Sequence, residues 1–229
     1  MNFLIFDGYP NMFGLFVSRF MNLKKFISIH LCAAMLFGLP VIALCQTALL
    51  NPSFEGVPQE AKTPAGWFPH NLGTTPDILP GVWGVQTPPK HGNTYMGLIT
   101  RVDGTWESVG QQLATPLVAG TCYTFSIHLA RSNTYVNYNM PVRLRIWAGT
   151  GPDEEIELLS STEAIEHLDW KKYEFSFTPS IDAQWFVLEA YFASGYYFGY
   201  NGNLLVDACS EIKPCRRAAA PVFRRESTL

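Results

Sequence analysis

The chain has 229 residues, 16 of them Lys or Arg and 19 Asp or Glu, for a formal net charge of −3. The charge is uneven: residues 46–212 hold 17 acids and 8 bases, a net of −9, whereas residues 213–229 hold five bases and one acid, a net of +4. An acidic body excludes nucleic-acid binding, which needs a basic face, and the 184 residues from Gln46 onward are enough for one domain with a substantial core.

Residues 1–20 are apolar, with only Asp7 and Arg19 charged, and read as an upstream extension ahead of a second start at Met21. Lys24 and Lys25, the apolar run Phe26–Leu44 and the small-x-small end Ala43-Leu44-Cys45 make residues 21–45 a signal peptide, with Gln46 the mature N-terminus. A run of 19 residues is long enough for a membrane span of roughly 17–25. Pro40 and the cleavage-like end favour the signal peptide, and the bulky Leu44 argues against a lipidated Cys45. Export to the periplasm, outer-membrane surface or extracellular space then leaves no transmembrane span and an oxidising environment. Cys122, Cys209 and Cys215 remain, enough for one disulfide and one free thiol; Cys122 reaches either partner if its strand pairs with the last one, and the pairing stays open. No CxxC occurs, and His70, His91, His128 and His167 show no close ligand spacing.

From Gln46 to Gly56 the sequence predicts a short first strand. Residues 57–90 follow with seven prolines and four glycines, yet they carry Trp67, Phe68 and Trp83. That is too aromatic for disorder, and long aromatic loops are packed caps or functional. Thr94–Thr100 and Trp106–Leu113 are two strands about a turn at Val102–Gly104. In residues 115–132 the alternation is strict: Tyr123, Phe125, Ile127 and Leu129 face one way, Cys122, Thr124, Ser126 and His128 the other. Val142–Trp147 and Lys171–Thr178 alternate again. Residues 157–165 are ambiguous between strand and helical turn. Trp185–Phe192 is apolar on both faces and reads as a central strand, and Asn203–Ile212 closes the domain. Trp147 and Trp185 read as core, and Phe125, Ile127, Phe175, Phe177, Val187 and Leu205 as facing one interior. Eight or nine short strands with turns between them, and no helix, argue for an antiparallel β-sandwich over residues 46–212. The basic end, residues 213–229, reads as a disordered tail.

The order of NPSFE (51–55), GW (66–67), TPD (75–77), HGNTYMGL (91–98), the stretch 111–132, DWKKYEFSFTP (169–179) and YNGNLLVDACSEI (200–212) resembles the galactose-binding-like jelly-roll modules. These are related to carbohydrate-binding modules, and the wording is similar to versions in exported proteins of Bacteroidetes-type bacteria. The resemblance covers 49–212 and implies an all-β, two-sheet jelly roll with a binding or adhesion role. It also implies a structural calcium at positions matching Glu55, the loop carrying His91, Asn93 and Thr94, and Asp207, where carboxylates and carbonyls would supply six to eight hard oxygens. Ala208 departs from the common pair of acids in the last strand.

A sugar site needs aromatic platforms with a few placed polar groups. The candidates are Trp83, Arg101, Trp106, Tyr135, Tyr138, Tyr196, Tyr197 and Tyr200; Trp67, at the family's GW position, reads as packing. Catalysis is not expected. The acids 153–157 read as a solvated turn, and no G-x-S-x-G or HExxH occurs. The partner is a glycan or cell-surface polysaccharide; a surface protein bound through a flat apolar patch is the alternative.

Overall fold

Alternating apolar residues make strands with one buried face, and strands are the only regular secondary structure among the described residues. The computed structural model describes residues 46–195 and 197–216, within the unit Leu44–Leu229. The expected extension, signal peptide, Tyr196 and the end of the basic tail lie outside the described residues. Among the described residues there is no helix, hence none long and apolar enough to cross a membrane.

The strands are β1 (Phe68–Pro69), β2 (Asp77–Leu79), β3 (Tyr95–Thr100), β4 (Ser108–Leu117), β5 (Tyr123–Ala130), β6 (Met140–Gly149), β7 (Glu157–Ser161), β8 (Lys171–Phe177), β9 (Ala183–Phe192), β10 (Gly202–Asp207) and β11 (Lys213–Pro214). They form one curled sheet in the order β1-β4-β9-β6-β10-β3-β2, with β7 beside β6 and with β8 and β11 beside β5, which itself pairs with β10. Every ladder is antiparallel except the short β6–β10 contact, Gly202 beside Met140. The strand after Trp106 runs on through Pro116 to Leu117; the register with β9 shifts between Gln112 and Leu117, the kind of break that tolerates a proline lacking its N–H.

The main core draws on both arms of the curl: Phe125, Ile127, Phe175 and Phe177 from β5 and β8, and Phe186, Leu188, Leu144 and Ile146 from β9 and β6. Val187 and Leu205 differ from the expected arrangement. Both are buried, but a period of two turns them to other faces. Val187 stands opposite Gly110 on the outer face of β9, and Leu205 joins Leu79, Val85, Tyr95, Ile99 and Tyr135 in a second cluster. That cluster explains the Pro-rich segment. It lies over β3 and β10, so both strands are buried on both faces.

The opening segment is a turn rather than a strand. Only Thr47 pairs, with Ile212, and Asn51 accepts the Glu55 N–H. Trp67 packs against Phe54 with ring centroids 5.0 Å apart, and its Nε1 donates to the Asn51 carbonyl. Cys122 is bonded to Cys215, and among the described residues Cys209 is the free thiol. Together with β11 this ties residues 213–215, beyond Ile212, to β5.

Candidate functional site

On the outer face of β4, β9 and β6 the alternation that fills the core also lines up polar and aromatic groups. Val142, Leu144, Ile146 and Ala148 point inward, so Arg143, Arg145 and Trp147 point out. On β9, Trp185, Glu189 and Tyr191 share that face. Glu189 is the centre. It pairs across the ladder with Arg145 on one side and Ser108 on the other, and it is wholly buried. Its Oε1 accepts from Arg145 Nε and from Trp147 Nε1 (3.3 Å); its Oε2 accepts from Trp106 Nε1 (2.9 Å). The Arg145 guanidinium lies 3.4 Å from the Tyr191 ring centroid, and Trp106 meets that ring edge-on at 4.9 Å. A buried acid surrounded by one guanidinium and two indole N–H groups is a satisfied charge that fixes four side chains at once.

Trp106 stands between two depressions. One, of about 590 Å³, is lined by His70, Asn71, Leu72, Asp153 and Glu155. The other, of about 350 Å³, is lined by Arg143, Tyr191, Ser194, Tyr197 and Phe198. Trp106 lines both. A third groove, along β5 and β8, has Phe125 and Phe175 among its lining, but both rings are spent in the core and offer no platform.

The first cleft holds unusual titratable groups. Glu155 is pushed up to about 7, first by burial and then by the neighbouring Glu189, with Arg145 opposing. Burial lowers His70, outweighing the Pro152 carbonyl and the charges of Asp153 and Glu189. The His70 Nε2 to Glu155 Oε1 approach of 3.8 Å therefore joins two groups both pushed toward their neutral forms. The 153–157 run is not uniformly solvated: Glu157 accepts from Ser180, Glu154 from Thr150, and the Glu155 side chain is only 23% exposed.

The other sequence candidates are scattered. Arg101 is ion-paired with buried Glu107, whose carboxyl burial raises, and this pair ties Thr75 to the β3–β4 turn. Trp83 is 46% exposed and reaches Asp77 through Nε1. Tyr135 is buried with its hydroxyl on Asp77, and Tyr138 packs beside it. Tyr200 donates to the Pro141 carbonyl and packs on Phe192. Tyr197 is 95% exposed beside the second depression. So Trp106 and Tyr197 meet at one place and the rest do not. Glu189, Tyr191, Arg143, Arg145 and Trp147 were missed. Their signal is in the sequence: Val142–Trp147 puts two arginines and a tryptophan on one face, and Glu189 is the lone charge in an apolar central strand.

Glu55 and Asp207 both meet the 90–94 loop. The main-chain N–H groups of Lys90 and His91 donate to Asp207 Oδ2 (2.8 and 2.9 Å), and that of Asn93 to the Glu55 carboxylate (3.0 Å). Gly92 lies so close to Glu55 that a Cβ there would fall 1.7 Å from Oε1. His91 Nδ1 is engaged by Ser53 Oγ, and Thr94 Oγ1 donates to the Phe54 carbonyl. Asp207 is pushed up to about 6 by burial, against the amides of His91, Ala208 and Lys90, with the Glu55 charge adding. Two converging carboxylates suit a cation, but the loop turns amide hydrogens toward them rather than carbonyls. Among the described residues no group of three or more His, Cys, Asp or Glu is placed to hold a metal.

No family model matches the chain, and no curated protein matches it. Among solved structures it is similar to an arabinose-bound α-L-arabinofuranosidase, MgGH51, with a TM-score of 0.52 and 14% identity over 75% of this chain and 27% of that one. It thus spans about a quarter of that enzyme, and the likeness is one of fold. Several other similar structures are carbohydrate-binding modules. A xylan-binding domain of Paenibacillus barcinonensis Xyn10C has a TM-score of 0.47 and 14% identity over 74% of this chain and 96% of that one. A family 16 carbohydrate-binding module has a TM-score of 0.44 and 15% identity over 72% and 99%.

Proposed function

We propose that this protein is a non-catalytic glycan-binding module, a two-sheet jelly roll that holds a polysaccharide across the outer face of β4, β9 and β6. The observation that carries the reading is Trp106. It stands between two clefts, with its indole N–H pinned by buried Glu189, so its ring is a fixed platform with polar groups to either side. A rigid aromatic surface with few, oriented hydrogen-bonding groups is what a sugar face and its hydroxyls require. The acids of the site do not suit glycoside hydrolysis. Both oxygens of Glu189 are taken up by Arg145, Trp147 and Trp106, so it is not free to serve as acid, base or nucleophile. A glycan array with the purified protein tests this: binding to one polysaccharide class is expected, and an empty array would overturn the reading. Exposed Tyr197 and Phe198 support the second reading, a surface-protein partner, which a pull-down without any array signal would favour.

Export is part of the same proposal; the Cys122–Cys215 bond fits an oxidising compartment. A structural calcium at Glu55 and Asp207 also stands as a proposal, supported by the convergence of the two carboxylates on one loop. Its measure is a pair of thermal melts, with calcium and with chelator. A bound ion at a hundredfold excess over Kd would add about 2.7 kcal/mol, and superimposable melts would remove it.

A further inference from the structure

The two depressions beside Trp106 differ in charge. The one of about 590 Å³ is lined by His70, Asp153 and Glu155 and by no lysine or arginine. The one of about 350 Å³ has Arg143 as its single charged lining residue. Arg143 differs in turn from the other arginines around the sheet. Arg101 holds buried Glu107 and Arg145 holds buried Glu189. Arg131 donates to the carbonyls of Glu166 and Asn139. Among the described residues Arg143 has no ion pair. Its guanidinium reaches only Ser194 Oγ, from Nη1 at 3.3 Å, and its Nε is buried without a partner.

The strand pattern puts it there. Arg143 and Arg145 are two apart on β6, so both leave the same face, opposite Tyr191 and Glu189 of β9. Both guanidinium groups meet the Tyr191 ring, with centroid distances of 5.5 Å for Arg143 and 3.4 Å for Arg145. Arg145 is neutralised by the acid opposite it. Arg143 faces a tyrosine instead, whose ring holds the guanidinium in place but accepts none of its in-plane N–H groups. The acid on the neighbouring turn, Asp103, spends its carboxylate on the N–H and hydroxyl of Thr105. Most of the Arg143 donors are therefore unspent, on a half-buried cation that cannot lose its charge by deprotonation. A partly desolvated cation without a partner is costly, and an oxyanion is the ligand that removes the cost. Trp106 and Tyr191 supply ring surface in the same depression.

We propose that the depression lined by Arg143 is a subsite for an acidic sugar, in which the Arg143 guanidinium takes the carboxylate of a uronate or the sulfate of a sulfated residue while the sugar ring lies against Trp106. This rests on the glycan reading above and narrows it to chains that carry oxyanions. The planar fork of a guanidinium matches both groups. The body, residues 46–212, carries a net charge of −9, so it gives a polyanion no general attraction, and retention of one needs a local cation. The basic end, residues 213–229 at net +4, is the competing source of such attraction.

Affinity electrophoresis of the wild type, Arg143→Gln and Arg143→Lys tests this. The probes are polygalacturonate and glucuronoxylan, each beside its carboxyl-reduced form, and dextran sulfate beside dextran. The quantity read is the ratio of affinities for the charged and uncharged forms of one chain, within one variant, so a general loss of binding does not imitate the result. The wild type should prefer one charged form about tenfold. The uronate pairs and the dextran pair tell carboxylate from sulfate. The ratio should fall to about one in Arg143→Gln and to an intermediate value in Arg143→Lys, which keeps the charge but loses the fork. A ratio of one in the wild type for every pair would overturn the subsite while retardation by the uncharged chains kept the glycan reading. An unchanged ratio in either variant would also overturn it and assign the attraction to the basic end. No retardation by any chain would overturn the subsite and count against the glycan reading as well.

Discussion

Two pairs of carboxylates lie half-hidden in this fold, and they are held in opposite ways. Glu55 and Asp207 are gripped by main-chain N–H groups of a single loop, from Lys90, His91 and Asn93. Glu189 is gripped by side chains, one arginine and two indoles, and Glu155 lies near it beside His70. Main-chain donors are fixed by the path of the chain, so the first pair shapes the fold and can change little. Side-chain donors are fixed only by one another, so the second pair orders a surface. The first is architecture, and the second is the better place for a ligand.

The largest expected effect breaks the second pair at its centre. Glu189→Ala leaves Arg145 without its carboxylate and two indole N–H groups without an acceptor. Losing one partner of a buried ion pair costs about 3–5 kcal/mol, which urea unfolding would read; a loss below about 1 kcal/mol would mean the cluster is not the organised unit described. Next comes pH. Glu155 holds its proton up to about 7 in the fold, against 4.5 as its ordinary value. The folded state thus binds the proton that the unfolded state has released between those values, and stability falls as pH rises through that window and levels off above it. Relative to Glu155→Gln, the wild type should lose roughly 3 kcal/mol between pH 4.5 and 7. Parallel stability curves would show that burial does not hold the Glu155 proton above its ordinary range. Asp207, raised to about 6, acts in the same direction over a lower range. Smaller still is Asp207→Ala. It strands the amides of Lys90, His91 and Ala208, at about 1–3 kcal/mol. An amide-held site should show that loss as faster hydrogen exchange confined to residues 90–94 and Ala208, whereas exchange spreading over the whole sheet would contradict the contrast drawn between the pairs.

The strands were legible wherever one face is apolar and the other polar. Tyr123–Ala130 and Lys171–Phe177 could be read with their facing, because Phe125 and Phe177 alternate with Thr124 and Ser176. Leu205 and Val187 could not. Their strands are apolar on both sides, so the period of two gives no sign of which residue meets which core. β1 and β2 are two and three residues long, too short for any period, and only the aromatic content of residues 57–90 hinted that the segment packs. The site was legible in Trp106 alone among its central residues. Trp147 and Trp185 read as core because apolar rings in strands usually are, yet both stand half-buried on the outer face. Glu155 reads as one of a solvated run. Its burial comes from contacts with β9 and the segment after β1, residues distant in sequence, which no local pattern encodes. The cysteine pairing depended in the same way on β11 folding back beside β5.

The central claim, that Trp106 is the platform of a glycan site, is tested most directly by comparing two tryptophan variants for binding to whichever polysaccharide the array selects. Trp106→Ala should lose about 2 kcal/mol of binding, some thirtyfold in Kd, while Trp83→Ala, which removes a more exposed ring beside Asp77, should bind as the wild type does. Equal losses in both variants, or a loss in Trp83→Ala alone, would contradict the account.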